Sequence, residues 1–309
     1  MMKTINADAG GGNANPSLAH PGNGRLVSAT VTRIVTTSWD DGDPSDLRVA
    51  DLLAARSIPG TFYIPVKGHV MGKHRASRMS LAELRELAAR GFEIGAHGVS
   101  HPNLPGCGEK ELVVEVEGCK KRLEDDLGRH VGMFAYPRGR HNTKVIAALV
   151  QAGFTGARTT AMLARELKFD PYRMPTSVHV FPHTRVDYFR NLARVWELQR
   201  AWAYATHFHC ADNWVELAKI LFDSISQTGG LWHLYGHSWE IDELGLWDGL
   251  KEVLEYVSHR PGVQYLSNGP IVALQAARPA ASECLPATTL GSLAETPRVH
   301  SAPSRRFGS

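Results

Sequence analysis

Between about residues 34 and 267 the chain alternates short apolar runs with amphipathic helical stripes, and this alternation limits its fold more than any other feature. The run Ile34-Val35-Thr36-Thr37-Ser38-Trp39 is β-branched and aromatic, and Gly42 and Pro44 stop it, so it reads as a buried strand. Further strand signals fall at 60–64, 92–96, 131–135, 154–159, 173–178, 230–236 and 263–267. Between them lie helical signals: the stripe Leu47, Ala50, Leu53 and Ala54, a Ser80-Leu-Ala-Glu83 capping box opening a helix that stops at Gly91, and stretches over 109–127, 143–152, 187–204, 214–227 and 246–258. Repeated strand and helix units of this kind predict an α/β fold, with the strands parallel in a barrel or a doubly wound sheet.

A chain of 309 residues with 43% hydrophobic content can build one large domain, which is the preferred reading over two modest ones. Residues 1–29 are rich in Gly, Asn, Ala and Pro, and 278–309 in Ala, Pro, Ser and Thr, so both are expected to be disordered tails around a domain at 30–277. The 34 basic and 31 acidic residues form no block of one sign, which argues against a nucleic-acid or membrane-surface partner. Cys107, Cys119, Cys210 and Cys284 contain no CxxC pair, a pattern of a reduced compartment rather than a disulfide framework or a cysteine-held zinc. Nothing approaches the roughly 20 apolar residues of a membrane span, and the first thirty residues lack an apolar signal core. A cytoplasmic protein is the expectation; no feature specifies its oligomeric state.

The chemistry concentrates at strand ends. Asp40 and Asp41 end the first strand, and His97-Gly-Val-Ser-His101 follows the strand at 92–96. Each signal alone is ordinary, since Asp-Asp-Gly before Pro44 is also turn and capping chemistry and His-x-x-x-His recurs readily among 15 histidines. Their joint placement matters, because in parallel α/β folds the C-terminal edge of the strands is where sites are built. Two histidines and a carboxylate form a ligand set for Zn²⁺ or a similar divalent ion, with positions left open for water and substrate. A hydrolase built on such an ion also needs a base and an acid. His237, after the strand at 230–236, is a candidate acid, with Glu240 or Asp242 to orient it. His233, inside that strand, reads as a core histidine.

Four ordered motifs, Thr37-Ser-Trp-Asp40-Asp41-Gly42, His97-Gly-Val-Ser-His101, Phe134-Ala-Tyr-Pro137-Arg138-Gly139 and Leu234-Tyr-Gly-His237, resemble those of the polysaccharide deacetylase family, also called carbohydrate esterase family 4. The resemblance covers roughly residues 30 to 275. It implies a distorted (β/α) barrel of seven to eight parallel strands, and removal of an N-acetyl group from an amino sugar. It further implies Asp40 as catalytic base, Asp41, His97 and His101 as metal ligands, and His237 as general acid. Tyr136, Pro137 and Arg138 would wall the groove and offer a backbone N–H to the oxyanion, and Trp239 would contact substrate.

The implied cofactor is one divalent ion, zinc first, with cobalt, nickel or manganese as alternatives. The implied partner is an N-acetylated sugar: an oligosaccharide, or a nucleotide-linked or lipid-linked sugar, the last two suggested by the unusual His237-Ser-Trp-Glu240. One departure is that the family's arginine two residues before the motif-three proline is replaced by Ala135, leaving Arg138, Arg140 or Arg158 to supply the charge that pairs with Asp40. Cys210-Ala-Asp212-Asn-Trp214 superficially resembles the acidic and tryptophan motif, but reads as the cap of a helix starting near Trp214. Trp39, Tyr136, Trp239 and Trp247 are either sugar-stacking or core aromatics. The competing readings are a deformylase or amidase using the same site, and a catalytically silent carbohydrate-binding protein.

Overall fold

A computed structural model describes residues 31–67, 70–71, 74–75 and 78–277; the expected tails at 1–29 and 278–309, and Cys284, lie outside them. Strand β1 (Arg33–Asp40) is buried along all but its first residue because it has neighbours on both sides. It pairs along its whole length with β7 (Gly230–His237), while on its other edge Ser38 to Asp40 pair with β2 (Thr61–Ile64). The lower part of that edge, Ile34 and Val35, pairs with the short β8 (Gln264–Tyr265).

Beyond β2 the sheet continues through β3 (Glu93–Ala96), β4 (Met133–Ala135) and β5 (Gly156–Arg158), and on the far side of β7 lies β6 (Val178–His179). Every one of these pairings is parallel. The stretch leading into β6 joins the two edges: Met174 bridges Arg158 in parallel, and the Ser177 N–H donates to His233 O at 2.8 Å. The result is a distorted barrel of seven parallel strands, with β8 added at the lower end of β1.

Among the described residues the helices are, in chain order, α1 (Asp46–Ala54), α2 (Leu81–Ala89), α3, α4 (Thr143–Gln151), α5 (Arg185–Arg194), α6 (Leu198–Thr206), α7 (Trp214–Thr228), α8 (Ser238–Leu244), α9 (Trp247–Val257) and α10 (Asn268–Ala277). The segments of α3 are Glu109–Val113, a π-helical turn Val114–Gly118 and Cys119–Leu127. Ser80 and Glu83 form the expected capping box of α2, and Gly128, at φ +64°, ends α3 in the left-handed region where a side chain would be strained. None of the described helices is long and apolar enough to cross a membrane.

Period-two alternation divides β1 between two cores. Val35 and Trp39 pack in the large cluster between strands and helices, whereas Ile34 packs with Tyr63, Met133, Ala135, Met174 and Leu231 in a second cluster with Ile271 and Val272 of α10. α10 is fastened there by Asn268, whose N–H donates to Thr61 Oγ1 and whose side-chain amide donates to Tyr63 OH. Going up β1, Thr36 bonds Asn268, Ser38 bonds His233, and Asp40 emerges at the rim.

Three details differ from the sequence-based expectation. The helix expected over 187–204 is two, α5 and α6, because Trp196 adopts φ +56° between them. The strand expected over 173–178 begins with a 3₁₀ turn, Pro171–Arg173, and becomes regular only at Val178. Helices α8 and α10 were not anticipated: α8 follows His237 directly, and the stretch forming α10 carries only a weak amphipathic pattern.

Candidate active site

The end of β1 turns sharply. Asp41 takes φ +82° and Gly42 φ +63°, so the two adjacent carboxylates, which a continuing strand would send to opposite faces, both enter one depression at the rim. The conformation is unusual for Asp41, and a described contact supports it: the Asp41 N–H donates to Tyr63 O at 3.1 Å. Asp41 Oδ1 stands 3.6 Å from His97 Nε2 and 3.8 Å from His101 Nε2, and all three residues are buried. Asp40 Oδ2 lies 3.9 Å from His97 Nε2 and 3.9 Å from His237 Nε2.

The donor set of Asp41, His97 and His101 fits a divalent ion on two grounds. Separations of 3.6 to 3.8 Å are too long for hydrogen bonds, yet two ligands at ~2.1 Å from a tetrahedral ion stand about 3.4 Å apart. The His97 Nδ1–H donates to Ala135 O at 2.8 Å, which selects the tautomer whose Nε2 lone pair faces Asp41. Trp239 Nε1–H donates to Asp41 Oδ2 at 2.9 Å, holding the carboxylate from its other oxygen. Trp239 therefore stands behind a candidate ligand, and at 8% exposure it offers little face to a substrate.

Arg158, at the end of β5, is fully buried and ion-pairs with Asp40 Oδ1. Of the three arginines left open by the sequence, this one reaches the acid; Arg138 and Arg140 are exposed. Its guanidinium lies between the rings of Tyr63 and Tyr235, 5.3 and 5.1 Å from their centroids. Burial alone would raise the Asp40 pKa, but the charges of Arg158, His97 and His237 outweigh it and leave the carboxyl below the usual carboxylate range.

His237 ends β7, and its Nδ1–H donates to Glu240 Oε2 at 2.6 Å from the first turn of α8. Burial disfavours the imidazolium, but Glu240 and then Asp41 more than reverse this, raising the pKa to about 10. Asp242, the other candidate orienter, instead accepts from Trp247 Nε1 at 2.6 Å. His179 on β6 was not singled out from the sequence. Its Nε2 stands 3.2 Å from the same Glu240 oxygen, its Nδ1 lies 2.8 Å from His183 Nε2, and its ring stacks on Tyr235 at 4.3 Å. A second His-x-x-x-His spacing, His179 to His183, was the available signal.

The wall at residues 136–138 differs from the expectation. The Tyr136 ring is buried with its hydroxyl donating to Tyr172 O at 2.9 Å, and its N–H donates to Arg158 O at 3.2 Å. Pro137 is buried and has no N–H. The sheet ladder leaves over only the Arg138 N–H, in a residue at φ +57°. Gly139 beside it takes φ +66°, and a Cβ there would lie 2.0 Å from Thr160 Oγ1, so the turn closes only on glycine.

Trp39 is in the core, and Trp247 is buried beneath the Arg48 guanidinium, 3.9 Å from its ring centroid. His233 is a core histidine as expected, bonded to Ser38 Oγ and to Pro175 O. Asn213, in the segment after Cys210, caps α7 by accepting from the Val215 and Glu216 N–H groups.

Comparison with known proteins shows what the chain is similar to. The family profile for polysaccharide deacetylase matches residues 28–157. A chitooligosaccharide deacetylase from Sinorhizobium fredii is 32% identical over 92 residues, covering 29% of this chain and 39% of that protein. Chitin deacetylase 1 from Cryptococcus neoformans is 30% identical over 119 residues, covering 38% of this chain and 24% of that protein. The chain therefore spans well under half the length of these curated relatives. In fold it is similar to the crystal structure of a protein assigned to the polysaccharide deacetylases from Mycobacterium smegmatis, with TM-score 0.55 and 18% identity over 81% of this chain and 92% of that one. Over residues 28–157, which carry the paired acids, the histidine pair and the proline motif, the sequence is similar to the polysaccharide deacetylase family.

Proposed function

We propose that this protein is a divalent-metal-dependent hydrolase that removes the acetyl group from the nitrogen of an N-acetylated amino sugar. The observation that carries the reading is the convergence of Asp41, His97 and His101 on one point, with Asp40 and His237 each 3.9 Å from that group. Asp41 Oδ1 and the Nε2 atoms of His97 and His101 would hold the ion, zinc being the first choice for two imidazoles and a carboxylate. When bound, the ion would polarise the acetamide carbonyl and acidify a water.

The chain's own residues supply the remaining chemistry. Asp40, kept ionised by Arg158, takes the proton of the attacking water. As the carbonyl carbon becomes tetrahedral, the Arg138 N–H donates to the oxyanion. His237, held protonated by Glu240, gives its Nε2 proton to the departing amine nitrogen, so that the C–N bond breaks to acetate and the free amino sugar. Glu240 stays ionised throughout, which keeps the imidazole oriented and ready to be reprotonated. Roles of this kind require both members of an acid and base pair in one rim, and Asp40 and His237 are neighbours across the β1 and β7 register.

The test is acetate release from N-acetylated sugars, with and without a chelator and with Zn²⁺ or Co²⁺ restored. Metal-dependent acetate supports the proposal. Silence on all substrates with stoichiometric metal bound would transfer support to another acyl group or to a binding role.

A further inference from the structure

Beside the candidate site lies a cleft of about 1080 Å³ whose lining is strongly cationic. It is tied to the candidate rim through the chain: Asn103, Gly139 and Thr159 line it, and they follow His101, Arg138 and Arg158 by two, one and one residues. Arg140, Lys168, Arg173, Arg194 and Arg200 also line it, against the acids Asp170 and Glu197. Two of the five cations are committed: Arg173 pairs with Asp170 at 3.6 Å, and Arg200 with Glu197 and Glu166 at 3.3 Å each. Arg140, Lys168 and Arg194 have no acidic partner among the described residues; Arg194 donates only to Thr160 Oγ1, at 3.0 Å.

Three uncompensated cations around one concavity repel one another, and a concave wall of low dielectric focuses their field. The three come from the turn after β4, the segment after β5 and the end of α5, so separate parts of the chain converge on one wall. On the same rim Trp196 is 86% exposed, held outward by its left-handed backbone, and offers a flat apolar face beside the cationic wall.

We infer that this cleft binds an anionic group, phosphate or carboxylate, carried by the amino sugar whose N-acyl group enters the candidate site. The substrate class is then a negatively charged N-acetylated sugar rather than a neutral oligosaccharide. Guanidinium groups recognise phosphate and carboxylate through paired N–H donors, with Lys168 as an additional point charge and Trp196 as a platform for a sugar or base ring. The inference rests on the deacetylase reading above, since it assigns the substrate of that site.

The test compares four probes on the metal-loaded full chain: N-acetylglucosamine 1-phosphate, UDP-N-acetylglucosamine, N-acetylmuramic acid and neutral N,N′-diacetylchitobiose. At low salt, kcat/KM for at least one charged probe should exceed that for diacetylchitobiose by about tenfold or more, and the advantage should shrink as NaCl is raised. The variant R140Q/K168Q/R194Q should lose this preference through KM while still releasing acetate from diacetylchitobiose at the wild-type rate. The phosphate and carboxylate arms identify which anion is read.

Equal, salt-insensitive turnover of charged and neutral probes, unchanged in the triple variant, would overturn the inference while leaving the deacetylase reading intact. Pyrophosphate titrated against tryptophan fluorescence separates the opposite case. Binding that the triple variant loses, with no acetate from any probe, would keep the cleft and overturn the deacetylase reading. Absence of pyrophosphate binding together with absence of a charge preference would remove the cleft.

Discussion

Arg158, at the end of β5, is fully buried and ion-pairs with Asp40 at the end of β1, 118 residues earlier in the chain. The pair restores, from a different strand, the positive charge that Ala135 lacks at the third motif. Desolvating two charges is unfavourable unless each is compensated, and here the carboxylate also faces His97 and His237 while the guanidinium lies between two tyrosine rings.

Removing Arg158 should therefore act on both rate and stability. Arg158→Ala takes from the buried Asp40 carboxylate its closest positive partner and leaves only the more distant His97 and His237, and a lower melting temperature is expected, since breaking a buried pair costs about 3 to 5 kcal/mol. Asp40 should then be protonated more readily, and kcat should fall by roughly 10² or more. Metal analysis checks the cause, since the three proposed ligands are untouched and stoichiometric binding should persist in the folded fraction.

The ligand and base roles separate experimentally. Asp40→Asn should abolish turnover with the ion still bound, whereas His97→Ala and His101→Ala should each lose it on dialysis. Elemental analysis decides the matter, and stoichiometric metal in both histidine variants would refute the assignment.

The pH profile follows from the Asp40 and His237 shifts. The proposed mechanism uses Asp40 ionised and His237 protonated; the Asp40 carboxyl is held below the usual carboxylate range and the His237 imidazolium is raised to about 10. The rate should be level across neutral pH, drop on the acid side only as Asp40 takes up its proton, and drop on the alkaline side as His237 loses its proton. Glu240→Gln removes the chief charge that raises His237, so the alkaline limb should move down toward 6.5, the ordinary imidazole value, while the acid limb stays in place. An alkaline limb unmoved in this variant would place the acid elsewhere.

Trp239→Phe keeps a buried ring and deletes one N–H, the donor to Asp41 Oδ2 at 2.9 Å. Groups that hold a ligating carboxylate contribute about 10- to 100-fold to metal affinity, so zinc affinity should weaken by that order, as measured by competition with a chromophoric chelator. Excess zinc should restore most of the rate, which a direct substrate contact by Trp239 would not allow.

A substitution in the motif-three turn tests its backbone. Gly139→Ala adds a Cβ at φ +66° and against Thr160 Oγ1, with an expected loss of about 1 to 3 kcal/mol measured by denaturant unfolding. The adjacent Arg138 N–H should shift with the turn and kcat should fall with it.

Most of the strands and helices and the paired acids and histidines were legible because each is a local signal. A β-branched run closed by Asp-Asp-Gly, a Ser-x-x-Glu box and a glycine ending a helix act within one turn or one strand of themselves. The same signals placed every proposed ligand at a strand end, and the parallel order of strands carried those ends to one rim. His179 escaped notice because the oxygen it faces, on Glu240, lies 61 positions away. The 187–204 region read as one helix because its apolar spacing continues across Trp196, whose backbone departs from the helix for reasons that the spacing does not contain.

What the sequence determined by itself was the α/β class, the chemistry available at each strand end, and the absence of an arginine at position 135. Only the tertiary structure decided which arginine faces Asp40, that Glu240 rather than Asp242 holds His237, and that Tyr136 and Trp239 turn inward. These choices depend on distances across the barrel between residues remote in sequence. Burial there makes an unpaired charge or an unbonded polar atom costly, so the closed fold selects partners among which the linear chain leaves several open.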